Sequence, residues 1–213
     1  MGTAPLAIPG FVDLQVNGYK GTGFSSADVS FEDLAGACRM LLASGTAAFL
    51  PTIVTAPPAV YERNLPMIAR LMQQEEFSGR LLGVHIEGPF ISREPGAVGA
   101  HTPKYVSDPD IALLDRMVEW SQGCVRLLTV AAEAAGVDEL IEHAVQQGIA
   151  VSVGHTLADS SDLRGAVDAG ATALTHFGNG VPNTIPRHNN PLWAGLAEEH
   201  LTAMIITDGH HLP

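Results

Sequence analysis

Apolar, β-branched runs alternate along this chain with stretches whose apolar residues recur at helical spacing. Phe11 to Val16 reads as a strand, and Phe31 to Ser44 as a helix with Ser30 at its N-cap and Gly45 just past its end. The pattern then repeats. Strands are predicted over Ala47 to Val54, Leu81 to Ile86, Val125 to Ala131, Ile149 to Val153, Ala171 to Thr175 and Leu201 to Thr207. Between them, helices are predicted over Tyr61 to Gln74, Ile111 to Ser121, Val137 to Gln147, Leu163 to Ala169 and Leu192 to Glu199. Pro57-Pro58 introduces the second helix, Asp108-Pro109 marks the start of the third, and Gly148 ends the fourth. Two long polar loops stand out, Gly88 to Val106 and Gly178 to Pro191.

Strands that are apolar throughout, separated by amphipathic helices, imply a parallel sheet covered by helices. Two architectures meet that description, a doubly wound sheet and a (β/α)8 TIM barrel. Polar residues favour the barrel. Asp13, Gln15, Asn17, Glu87, His155, His176 and Asp208 all fall at or just past the C-terminal ends of predicted strands. Barrel enzymes draw their active-site groups from many strand ends, whereas a doubly wound sheet gathers ligand contacts at one switch point. Nor is Asn17-Gly18-Tyr19-Lys20-Gly21 the glycine fingerprint expected after the first strand of a dinucleotide-binding sheet. Only seven strands are counted, so the expectation is a single, incomplete barrel domain over residues 1–213.

Composition narrows the function. The formal net charge of -12, with no cluster of Lys or Arg, argues against nucleic acid. No apolar run is long enough to span a bilayer, and Met1 to Ile8 lacks the basic start of a signal peptide. Cys38 and Cys124 form no CxxC and read as reduced thiols in a cytoplasmic protein.

Glu87, His155 and His176 end three different predicted strands. Carboxylate and imidazole suit Zn²⁺, and three protein ligands with one open position is the catalytic form of such a site. A lone strand-end histidine is usually only a satisfied polar residue, but three such placements converge on one barrel mouth. His85 shares an inward face with Glu87 and reads as barrel packing.

At this point the motifs become specific. Pro9-Gly10-Phe11-Val12-Asp13-Leu14-Gln15-Val16-Asn17-Gly18, His85-Ile86-Glu87-Gly88-Pro89-Phe90, Ser152-Val153-Gly154-His155-Thr156, Thr175-His176-Phe177-Gly178-Asn179-Gly180 and Thr207-Asp208-Gly209-His210-His211 occur in that order. Together they resemble the N-acetylglucosamine-6-phosphate deacetylases of the amidohydrolase superfamily. The resemblance implies a metal-dependent barrel that hydrolyses N-acetylglucosamine 6-phosphate to glucosamine 6-phosphate and acetate. It also implies Glu87, His155 and His176 as metal ligands. Where many amidohydrolases carry His-x-His for a second metal, this chain has Gln15 and Asn17, so one divalent ion is expected. By the same resemblance His101, Asn179, Gly180, Arg187 and His211 contact substrate, His211 from the partner of a homodimer.

The resemblance also implies a general-base Asp at the end of an eighth strand, beyond the chain end. Asp208 lies on the seventh predicted strand and is not given that role. The short chain alone is therefore expected to be inactive, with open sheet edges. The segment Pro182 to Asn190 departs from the commoner family pattern. Two alternatives stay open: an amidohydrolase for another N-acyl amino sugar or amide, and a non-catalytic sugar-phosphate-binding barrel.

Overall fold

A computed structural model of the protein describes residues 9–212; the stretch read against a signal peptide lies outside them. The chain opens with β1 (Phe11–Val16), followed by a small antiparallel hairpin of β2 (Gly18–Tyr19) and β3 (Thr22–Gly23) that the apolar pattern did not announce. Helix α1 (Phe31–Ala43) begins at a capping box, in which the Ser30 hydroxyl accepts from Asp33 N and the Asp33 carboxylate accepts from Ser30 N. After it come β4 (Thr46–Val54), α2 (Pro58–Met72) and β5 (Val84–Glu87). Helix α2 starts three residues earlier than predicted because Pro58 sits in its first turn, where the missing N–H costs nothing.

The second half continues as α3 (Ile111–Trp120), β6 (Val125–Val130), α4 (Val137–Gln146), β7 (Ala150–Val153), α5 (Ser160–Asp168), β8 (Ala173–Leu174), α6 (Pro191–Ala197) and β9 (Thr202–Ala203). Asp110, rather than the Asp108-Pro109 pair, caps α3 by accepting from Leu113 N. Helix α5 begins three residues before its predicted start because Asp159 and Asp162 form a second capping box. The seventh predicted strand shrinks most, from Leu201–Thr207 to two residues, and its only named neighbour, β8, is itself two residues long.

The sheet order is β1-β4-β5-β6-β7-β8-β9, parallel at every step. A doubly wound sheet reverses its order at a switch point. Here each strand lies beside its predecessor in the sheet, as in a (β/α)8 barrel, and seven staves of one are present. Phe49, Ile53, Ile86, Leu128, Val151 and Leu65 pack between sheet and helices with essentially no exposure. No helix among the described residues is long and apolar enough to cross a membrane.

A polar layer crosses the sheet interior. Thr52, His85, Thr129, Ser152 and Thr175 are all buried. His85 Nε2 lies 2.7 Å from the Thr129 hydroxyl, Thr129 lies 2.8 Å from the Thr175 hydroxyl, and Thr175 donates to Ser152 at 2.7 Å. Side chains two residues apart on a strand share a face, so His85 lies directly beneath Glu87 on β5. His85 is thus packing, as read from the sequence, but hydrogen-bonded packing that props up the site above it.

Candidate metal centre

Glu87 is the last residue of β5, and both histidines lie just beyond strands β7 and β8. The ligating atoms of Glu87, His155 and His176 all fall within 4.8 Å of one another. His176 Nε2 is 2.8 Å and His155 Nε2 3.3 Å from Glu87 Oε1, and the two Nε2 atoms are 3.0 Å apart. Ligand atoms around a tetrahedral zinc with bonds near 2.0–2.1 Å sit roughly 3.3 Å from each other. The spacing therefore fits one shared cation.

The surrounding groups support that fit. His155 Nδ1 lies 2.8 Å from the Ala97 carbonyl and donates to it, which leaves Nε2 as a bare lone pair facing the cluster. His176 turns Nε2 to the cluster, and its other ring nitrogen, Nδ1, is buried with no hydrogen-bond partner. Both histidines also have positive φ, 50° for His155 and 31° for His176. Such a conformation is uncommon for residues other than glycine and concentrates at functional sites. Backbone crowds the His155 ring: a Cβ on Gly180 would stand 2.9 Å from its Nδ1, and one on Gly99 3.0 Å from its Cε1. Only glycine gives the ring that room.

Electrostatics set the protonation states. Burial pushes the Glu87 carboxyl upward. Hydrogen bonding with His176 and the close approach of His155, His85 and His101 outweigh that and hold it well below the usual carboxylate range. Burial pushes His101 down to about 4, helped by the neighbouring His155. His101 is therefore a neutral imidazole. Its Nδ1 accepts from the Thr55 backbone N–H at 3.3 Å and lies 2.8 Å from the Thr55 hydroxyl, an environment that assigns its proton to Nε2. That N–H points into the cluster, 3.1 Å from His155 Nε2 and 3.6 Å from Glu87 Oε2. The geometry makes it a hydrogen-bond donor rather than a fourth ligand.

The other residues singled out in the sequence are distributed unevenly. Gln15 reaches the cluster and donates to Glu87 Oε1 at 2.7 Å, while Asn17 is exposed. Asn179 returns to the His176 carbonyl through both its backbone and its amide. Arg187 is exposed and lines a mainly apolar concavity of about 570 Å³ beside the centre, with Phe177, Trp193 and Leu196. His211 and Asp208 form an exposed local pair, 2.7 Å apart. The strand-end criterion overlooked Glu133, three residues past β6, although it stands where that criterion applies.

The fold is an incomplete barrel of the metal-dependent hydrolase type, and the cluster at its strand ends is one that could hold a metal ion. No family model matches the chain. Individual relatives do. It is 33% identical to the N-acetylgalactosamine-6-phosphate deacetylase of Escherichia coli O157:H7 over 98% of its own length and 54% of that protein. It is 39% identical to the N-acetylglucosamine-6-phosphate deacetylase of Mus musculus, over 95% of this chain and 48% of the mouse protein. A solved structure of the Mycobacterium smegmatis N-acetyl-D-glucosamine-6-phosphate deacetylase, an aspartate-to-alanine mutant in complex with N-acetyl-D-glucosamine-6-phosphate, superposes with a TM-score of 0.85. That match has 32% identity and covers 99% of this chain and 56% of the other. Over nearly its whole length the chain is therefore a relative of the N-acetylglucosamine-6-phosphate deacetylases, hydrolases of the amidohydrolase superfamily. It spans about half the length of the curated relatives it matches.

Proposed function

We propose that this chain carries the metal-binding part of a deacetylase that removes the acetyl group from N-acetylglucosamine 6-phosphate, giving glucosamine 6-phosphate and acetate. The observation that carries the reading is the convergence of Glu87, His155 and His176, from the ends of the three parallel strands β5, β7 and β8, on one point. A hard carboxylate with two imidazoles suits Zn²⁺, and one ion is expected because Gln15 spends its amide on Glu87. When bound, a divalent ion supplies Lewis acidity at that point.

The chain's own residues do the rest. Glu87 stays ionised, and Gln15 fixes its rotamer. His101 presents Nε2–H as a donor to a carbonyl oxygen of the substrate. Asn179 and Gly180 place backbone beside the sugar, and Arg187 offers a planar fork to the 6-phosphate. His211 reaches substrate across a homodimer. The proton-transferring Asp is not among these residues. Reduced Cys38 and Cys124 suit a cytoplasmic setting.

Metal content of the purified protein tests the reading, measured by plasma mass spectrometry beside Glu87→Ala. One zinc per chain, lost in the variant, is expected; no metal in either protein overturns it. A second reading is favoured by the match to a galactosamine-type relative and by the unusual loop around Arg187. In that reading the substrate is the galacto epimer, N-acetylgalactosamine 6-phosphate. Acetate release from the two epimeric 6-phosphates, compared as kcat/KM, separates the two.

A further inference from the structure

Outside the ligand cluster, one carboxylate is tied to the backbone beside it. Glu133 follows β6 and reaches the turn that follows β7. Its carboxylate accepts from the Thr156 hydroxyl and, at 2.7 Å, from the Leu157 backbone N–H. Thr156 and Leu157 are the two residues after His155. We propose that Glu133 is a positioning residue that holds His155 in its cation-binding orientation, acting through Thr156 and Leu157. The inference rests on the metal reading above.

His155 is the group that requires such a brace. With φ of 50° it occupies a left-handed conformation, which persists only where the surroundings over-determine it. Upstream, Gly154 N donates to the Val130 carbonyl at 3.0 Å. At the residue itself, the carbonyl accepts from Ser92 N at 2.9 Å, and the ring donates to Ala97 O. Downstream, the Thr156 oxygen accepts from Ala132 N at 3.3 Å and Ala158 N at 3.1 Å. Its single proton is thereby free to go to Glu133, which also takes the Leu157 N–H. Both anchors of the downstream peptide thus end on one carboxylate. Without it, the 155–157 backbone relaxes toward ordinary φ and swings the imidazole away from Glu87 and His176. Partners of metal ligands of this kind change metal affinity by about 10–100-fold when removed.

Zn²⁺ affinity of metal-free protein, titrated against a chromophoric chelator, tests this, together with the visible spectrum of the Co²⁺ form and Tm with and without metal. Glu133→Ala is expected to weaken binding about 10–100-fold and alter the Co²⁺ bands, with Tm of the metal-free protein little changed. Glu133→Gln keeps an acceptor for the Leu157 N–H but turns an NH2 toward the Thr156 hydroxyl, which needs an acceptor, and is expected to fall between Glu133→Ala and the wild type. Thr156→Val removes one anchor of two and is expected to fall between them. Wild-type affinity and spectrum in Glu133→Ala overturn the proposal. So does a Tm loss in the metal-free protein as large as in the loaded one, which marks a purely structural role. Absence of Zn²⁺ binding by the wild type overturns the metal reading itself.

Discussion

Strand β1 is as apolar in sequence as β6, and its fate is opposite to that of β5, β6 and β7. Every residue of β5 is buried, as are nearly all those of β6 and β7. In β1, four of six residues are exposed, and Phe11 keeps 72% of its surface in solvent. The other edge is similar: both residues of β9 are exposed, Ile205 lies beyond it, and Leu196 on α6 is 65% exposed. A strand apolar on both faces is patterned for cover on both faces; the central strands have it and the edge strands do not. The proposed metal centre falls on the covered side of this divide. Glu87 ends a central strand, and the hydroxyl layer beneath it runs from β4 to the residue after β8. Its geometry therefore depends on the part of the sheet that is already packed.

The largest expected effect tests that division directly. Glu87→Ala should lower Zn²⁺ affinity by more than about 100-fold, while Leu196→Ala on the exposed flank leaves it unchanged; titration against a chelator measures both. Equal losses would mean that the centre depends on the flank. Next, Leu128→Ala in β6 should cost about 2–5 kcal/mol in urea unfolding, because Leu128 is fully buried and leaves a cavity. Third comes pH. Burial pushes His85 down to about 4 from its ordinary 6.5, and His101 likewise. The unfolded chain therefore takes up protons first, and the stability of the metal-free protein should be full well above pH 6.5 and decline as pH falls toward 4. Urea midpoints at pH 7.5 and 4.5 give the sign, and His85→Asn, which takes up no proton, should flatten the slope. The smallest effect belongs to the edge: Leu14→Ala, already 41% exposed, should change stability by no more than about 0.5 kcal/mol. A loss near that of Leu128→Ala would show that β1 is covered in solution.

Much of this was legible in the sequence because it is local. Strand and helix periods, the Ser30 cap and the placing of Glu87, His155 and His176 after strands all follow from residues a few positions apart. The errors are local as well. Helix α5 starts before its apolar period because the Asp159–Asp162 box precedes that period, and the last strand is shorter than its apolar run because such a run says nothing about its partner's length. His85 was read correctly as packing, but the hydroxyls that hold it come from β4 and β6, far away in sequence.

What the sequence determined by itself was the alternation that makes a parallel, helix-covered sheet and the identity of three residues able to bind a cation. Only the tertiary structure decided that the three meet. It also decided that Gln15 is a donor to Glu87 rather than an absent ligand, that the His101 proton sits on Nε2, and that Glu133 reaches past a strand to the backbone beside His155. Each of those depends on contacts between residues 23 or more positions apart. Periodicity fixes the face a side chain points to, but strand order and register fix which other side chains share that face.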